Sequence, residues 1–446
     1  MFAIPTLAAN ILQSLNASIN MIWIGRFLGE KALAATANAT NIIFLIFSAL
    51  FGFAMAAMIL IGQHVGRRDI DGARRVMGGA AGLLIGLSFV MVAVGVGLTD
   101  RLLLMLGTPH DAAPLASAYL KMMFWGLPFS AIIVLLMMTL RGIGDAMTPL
   151  WFMIVGIVID AGLNPFLIAG IGPFPELGIE GSAVATLISN AISFAGMLAV
   201  VYWRDMPIRL RGREFRYLLP GPALLRLIFA KGILMGLQMF VLTTAGLVMV
   251  GLVNQAGVIA IAAYGVAFQL WNYVQMPSMA VGSAVSAMAA QNIGAGRWDR
   301  VGATTRAGLV FHILLTGSLV LLLTLFDRPM LGLFLGMDSP AIAIAQRIQL
   351  IAGWSFLFSG ATMVFFGAVR ANGAVLMPLL IMIVGLFICR LSFAQFAQPW
   401  LGFDALWWAF PFGSIVVMGL SWIYYARGGW RKAVLVDQAE AAEHAV

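Results

Sequence analysis

Twelve long apolar stretches, separated by short polar bands, constrain this 446-residue chain more than any single motif does. They lie at roughly 2–25, 36–62, 77–98, 119–140, 149–172 and 181–203, then 227–252, 258–288, 305–326, 346–368, 376–397 and 404–425. Each can cross a hydrocarbon layer ~30 Å thick as a helix. Inside that layer no water is available to backbone amides, so only helices and closed barrels span it. Barrel strands alternate apolar and polar residues over shorter runs, and these stretches do not. Charged residues make up 10% of the chain, against about a quarter in a soluble protein. The expected class is an all-α membrane protein with twelve transmembrane helices.

A net charge of +8 would suggest nucleic acid in a soluble protein. Here the positions of the charges explain it, and no nucleic-acid partner is expected. Of the 26 Arg and Lys residues, nineteen fall on one set of inter-span loops. Six (Arg26, Lys31, Arg101, Lys121, Arg328, Arg347) fall on the other, and Arg390 lies within a span. Because Arg and Lys accumulate on the cytoplasmic side, both termini and the 204–226 loop should be cytoplasmic in a multi-pass inner (plasma) membrane protein. The single cysteine, Cys389, excludes an intrachain disulfide. No cleavable signal is evident, and the first span starts almost at Met1, as if a short leader were missing or had never existed.

The chain also repeats itself. Gln63, Gly66 and Asp71 recur as Gln291, Gly294 and Asp299, at an offset of 228. Trp125, Phe129-Ser130, Arg141, Gly144 and Pro149 recur as Trp354, Phe358-Ser359, Arg370, Gly373 and Pro378, at an offset of 229. Six spans per repeat give both halves the same orientation, so they are related by an axis along the membrane normal. The expected layout is a six-helix lobe over 1–203, a cytoplasmic loop over 204–226, a second lobe over 227–425 and a tail over 426–446. The Arg- and Asp-bearing loops Gly62–Arg75 and Ala290–Arg306 read as tight cytoplasmic connections, or more sharply as latches between the lobes. Arg141 and Arg370 sit at helix ends, where a cation complements the carbonyl terminus.

Ionisable groups inside a bilayer are costly and mark function by default. Two stand out. Asp160 lies midway along the fifth span, and Asn164, four residues on, shares its helical face. Pro165 removes a donor and should free carbonyls near Ala161 and Gly162. Together these groups could hold a proton, a small cation or a water, unless Asp160 is bonded for packing alone. Desolvation penalises a charged carboxyl, which suits a proton carrier. The other is Arg390, one residue beyond Cys389, the position equivalent to Asp160 at an offset of 229. It is expected to snorkel or to pair with backbone carbonyls.

Further polar groups in spans include Gln13, Asn16, Asn20, Asn38, Asn41, Ser182, Thr186 and Asn190 in the first half. The second half has Gln238, Thr243, Thr244, Tyr264, Gln269, Asn272, Tyr273 and Gln275. Such groups often join helices to one another. The run from Gln269 to Gln275 is dense enough to suggest a cavity wall. Asn38, Asn41, Gln238, Tyr264, Gln269, Asn272 and Tyr273 are the substrate-cavity candidates. The 27 methionines and 30 phenylalanines suit varied apolar or cationic ligands. The histidines (64, 110, 312, 444) are scattered, so no metal site is expected, and no nucleotide-binding loop or nucleophile–base pair occurs. No cofactor and no enzymatic activity are expected.

Ile22-Trp23-Ile24-Gly25-Arg26-Phe27-Leu28-Gly29 with Ala32-Leu33-Ala34-Ala35 resembles the end of the first helix and the first loop of the MATE family, the multidrug and toxic compound extrusion transporters. Gly62-Gln63 through Asp71-Gly72-Ala73-Arg74-Arg75, Leu140-Arg141-Gly142 through Pro149, and Gly178 through Thr186 resemble its other motifs. The resemblance covers nearly the whole chain. It implies two pseudo-symmetric six-helix lobes around a central cavity, and a cation-coupled antiporter exporting small organic, often cationic, compounds by rocking-lobe alternating access. Many members carry an Asp where this chain has Asn20, and an Asn four residues before Asp-Pro where this chain has Asp160 and then Asn164-Pro165. One carboxylate therefore remains, which favours H⁺ over Na⁺. The cation-coupling candidates are Asp160, Asn20, Asn164, Ser182 and Thr186. A monomer in the lipid bilayer is expected. A flippase for lipid-linked or polysaccharide precursors shares the two-lobe plan, but would be expected to have more spans and a cationic cavity. A non-transporting scaffold or receptor is the alternative of another class.

Overall fold

A computed structural model describes residues 3–105, 108, 111–432 and 435; the side chains at 34, 37, 38 and 41 lie outside the description, and so do His110 and His444. Helices dominate, and no strand occurs among the described residues. The first half consists of α1 (Ala3–Gly66), α2 (Ile70–Met105), α3 (Ala113–Trp125), α4 (Leu127–Gly142), α5 (Met147–Ala169) and α6 (Ile179–Trp203). The second holds α7 (Pro222–Val253), α8 (Val258–Gly294), α9 (Trp298–Leu325), α10 (Asp327–Leu335), α11 (Ala341–Ala352), α12 (Ser355–Arg370), α13 (Leu376–Ile383), α14 (Arg390–Leu401) and α15 (Asp404–Arg427). Two compact units result, Ala8–Gly236 and Leu237–Gln438, the latter joined by the first seven residues. The division falls within α7.

Helix breaks reconcile these elements with twelve spans. α1 contains two helices joined at Gly29, whose φ of 78° and ψ of −171° leave the helical region. α3 and α4 form one span bent by 52°, and α11 and α12 another bent by 43°. Eight helices are long and apolar enough to cross a membrane, or ten with the bent pairs counted. The two remaining are the first part of α1 and α8. Both are diluted by amides, Gln13, Asn16 and Asn20 in one and Gln269, Asn272 and Gln275 in the other. Twelve helices in two six-helix halves follow.

The loops expected at Gly62–Arg75 and Ala290–Arg306 are shorter than their composition suggests, because the helices extend into them. α2 begins at Ile70 and α9 at Trp298, leaving turns of only three residues. Each turn needs one left-handed residue: Arg68 with φ 63° in the first and Gly296 with φ 72° in the second. Asp69 closes the first turn by accepting from the Gly72 amide (2.9 Å) and contacting His64 Nδ1 (2.7 Å). Burial opposes its charge, yet the Gly72 amide, His64 and Arg75 together hold its carboxyl below the usual range. The neighbouring charges act within the first unit. Arg75 pairs with Asp71, Tyr217 donates to Asp71, and Arg74 pairs with Glu214, tying α2 to the short helix Gly212–Leu218.

In lipid no hydrophobic drive brings helices together, so close packing depends on small residues. Gly52 of α1 faces the Gly232-x-x-x-Gly236 pair of α7, and a Cβ at Gly52 would collide with the Gly232 carbonyl and the Gly236 amide. In the second unit, a Cβ at Gly282 of α8 would stand 2.9 Å from the Met363 carbonyl oxygen, and one at Gly367 of α12 2.5 Å from that of Gly282. Replacing Gly52 with Leu should cost at least about 1–3 kcal/mol through overpacking. Thermal unfolding in detergent should show a clear loss, whereas Gly86→Ala, where a Cβ meets open space, should be neutral or slightly stabilising.

Candidate functional site

Asp160 is 1% exposed on α5, with α1 and α6 supplying its partners. Asn16 and Asn20, one helical turn apart on α1, donate through Nδ2 to Oδ2 at 2.9 and 3.0 Å. Asn164 Nδ2 reaches Oδ1 at 3.1 Å, and Thr186 Oγ1 of α6 reaches it at 3.2 Å. Asn164 Nδ2 also contacts Asn20 Oδ1 at 3.0 Å and the Asp160 carbonyl at 2.9 Å. Thus the backbone carbonyl drawn into the site is that of Asp160, one residue before those expected to be freed by Pro165. Four side chains direct hydrogens at one carboxyl group.

The same cluster leaves acceptors unused. Asn16 Oδ1, Asn164 Oδ1 and Ser182 Oγ are buried without a hydrogen-bond partner. A buried polar atom left this way costs about 1–3 kcal/mol. Asp160, Asn20, Asn164 and Thr186 come together as the sequence suggests. Ser182 contributes its carbonyl, which lies 3.2 Å from Thr186 Oγ1 and competes with Asp160 for its single hydrogen, while the Ser182 hydroxyl bonds to nothing. Asn16 was not among the coupling candidates. Its spacing of four from Asn20 was the available signal, since that spacing puts both amides on one helical face.

The substrate-cavity candidates do not form one group. The side chains of Asn38 and Asn41 lie outside the described residues. Gln238 is buried midway along α7, donating to the Val375 carbonyl that precedes α13 at 2.9 Å and lying 3.5 Å from Arg370 at the end of α12. α8 presents its polar run on different faces. Tyr264 is buried with Trp271, Trp407 and Phe410, whereas Gln269 and Tyr273 are exposed and bond to each other at 3.3 Å, with Asn272 half-buried. Tyr264 thus lies on an aromatic face, apart from the polar face that carries Gln269 and Tyr273 of the Gln269–Gln275 run. His312, inside the span at 305–326 but set aside as one of four scattered histidines, is fully buried, with Nε2 against the Leu357 carbonyl (3.0 Å) and Nδ1 against Thr316 Oγ1 (3.0 Å).

Arg390 does not snorkel. It is 8% exposed, and its Cζ lies 4.7 Å from the Phe410 ring centroid. Its register differs too. A π-helical turn at Val384–Cys389 accommodates an additional residue between the matched Pro378 and Arg390. The offset therefore grows from 229 to 230, and Arg390 itself, not Cys389, takes the place that Asp160 has in the first half.

Comparison with known proteins identifies the family. The MatE family model matches the chain twice, over residues 5–166 and 235–396. The chain belongs to the MATE family. It is a membrane transporter, not an enzyme. The "Probable multidrug resistance protein YoeA" of Bacillus subtilis is 32% identical to this MATE chain, with 97% of the chain and 93% of YoeA covered. An "FAD transporter" of Shewanella oneidensis is 26% identical, with 90% and 87% covered. Among solved structures, a MOP superfamily transporter from Pyrococcus furiosus superposes with a TM-score of 0.87 at 19% identity, covering 96% of this chain and 94% of that one.

The aromatic face also offers a stability test. Trp271 Nε1 donates to Gln349 Oε1 at 2.7 Å, in a buried bond between α8 and α11. Trp271→Phe should strand that oxygen at a cost of about 1–3 kcal/mol. Thermal unfolding should detect the loss, and Gln349→Leu added to it should recover part.

Proposed function

We propose that this transporter is a proton-coupled antiporter exporting organic compounds, cationic ones among them, by alternating access of two rocking lobes, residues 1–203 and 227–425. Asp160 carries the reading. It is a lone carboxyl, out of water, met by hydrogens from Asn16, Asn20, Asn164 and Thr186. Adding a proton turns one carboxyl oxygen from acceptor to donor, so at least one of those four must turn away. Asn16 and Asn164 each have an unpartnered amide oxygen able to accept that new O–H once the amide rotates. Protonation would thus rearrange contacts between α1, α5 and α6, and coupling follows if the two conformations bind the proton with different affinity. Sodium would need several oxygens facing it at once, whereas a proton needs only one amide to turn. The relatives named for multidrug resistance and for FAD support an organic solute as cargo.

Asp160→Asn keeps the volume and removes the titrating group. In proteoliposomes it should remain folded and lose efflux driven by an imposed ΔpH. Unchanged efflux would overturn the assignment, and wild-type efflux driven by a Na⁺ gradient without ΔpH would replace the ion. We also place this monomer in the inner membrane with both termini inside. With Cys389 replaced by Ser, an Arg213→Cys variant should react with an impermeant maleimide only after cells are opened.

A further inference from the structure

Proton coupling through Asp160 leaves Arg390 unused. The π-helical turn brings Arg390 to the position in the second unit that Asp160 occupies in the first. The span that carries it runs Leu376–Leu401, so Arg390 lies roughly 16–21 Å from either end at the helical rise. Among the described residues no carboxylate pairs with it. Space for its side chain is built into α15, where a Cβ on Gly413 would stand 3.0 Å from both Arg390 Cβ and Nε.

The surroundings offer it an aromatic face and little else. Phe410 lies under the guanidinium, and Tyr264 packs on the same ring with centroids 6.3 Å apart. Both Arg390 Nε and Tyr264 Oη are buried without a hydrogen-bond partner. A charge taken out of water is strongly penalised, and a cation–π contact returns only part of that penalty. The missing partner is therefore an acceptor, and a charged one suits a guanidinium best because its fork matches carboxylate and phosphate oxygens. Depth in the span favours a solute over a lipid headgroup, which resides at the membrane surface.

We propose that Arg390, assisted by the Tyr264 hydroxyl, binds an anionic group, a carboxylate or phosphate, on compounds this protein transports. The inference rests on the transport reading above and adds acid-bearing solutes to its cargo. In the first unit the equivalent position holds the acid that takes the proton. In the second it holds the base that takes the cargo's charge.

Riboflavin 5′-phosphate and riboflavin share one ring system and differ by one phosphate, so they isolate the charge. Binding of each to the purified full chain in neutral detergent can be followed by quenching of tryptophan fluorescence. Wild type should bind the phosphate form about tenfold more tightly, or better, as a charge-assisted bond allows. Arg390→Gln should bring the two affinities together, Arg390→Lys should keep part of the difference, and Tyr264→Phe should reduce it severalfold. Equal affinities in wild type, or an undiminished preference in Arg390→Gln, would overturn the proposal. If Arg390→Gln does not fold, Arg390→Lys and Tyr264→Phe decide it, and no change in either counts against it. Added phosphatidylglycerol that removes the wild-type preference by competition would assign the site to lipid phosphate instead, also against the proposal. The same pair in phosphatidylcholine liposomes under ΔpH separates the two readings. An Arg390-dependent binding preference with no movement of either flavin, or of a cationic dye, would sink the antiporter and leave the anion site standing.

Discussion

Without water in the hydrocarbon layer, every polar group within a span must find its partner in the protein or go without one. Backbone amides meet this demand by coiling into helices, which is why nearly every described residue is helical. Side chains meet it pair by pair. Asp160 is the extreme case, with three asparagines and a threonine gathered round one carboxyl. Where the demand is not met, as at Asn16 Oδ1, Asn164 Oδ1, Tyr264 Oη and Arg390 Nε, a buried polar atom is left without a hydrogen-bond partner.

The same constraint shapes the packing. Apolar side chains gain nothing by leaving lipid for one another, so the helices approach through missing side chains. Gly52 against Gly232 and Gly236 serves the first unit, and Gly282 with Gly367 the second. The halves share this method and differ in the charges they hold. The family model matches each half once, over 5–166 and 235–396, and each match contains one charged residue deep in a span, Asp160 in the first and Arg390 in the second. A repeated scaffold has been given two unlike interiors.

Much of this was legible from the residues alone, because hydropathy reports the spans and cost reports the buried charge. Asp160 and Asn164 could be paired from their spacing, and Asn20 entered through the family's pattern. Asn16 did not stand out, since amides in spans mostly join helices. Helices apolar all round carry no period that says which way a side chain points. Tyr264 and Gln269 were therefore both cavity candidates, although α8 buries one and exposes the other. The turn around Asp69 was obscured for a different reason. Its arginines and aspartates read as loop, yet Asp71, Arg74 and Arg75 belong to the first turns of α2, where an acid such as Asp71 favours the helix start.

The π-helical turn at Val384–Cys389 shows how one residue can alter a membrane protein's interior while leaving its hydropathy unchanged. Removing a residue there would rotate everything downstream by about 100°. The span would keep its length, its apolar character and its place in the bilayer. Arg390 would face a different neighbour. In a duplicated chain, such a slip lets one copy change which side chain it offers without first losing its fold, and comparisons that assume a constant spacing would put a cysteine where the charge stands.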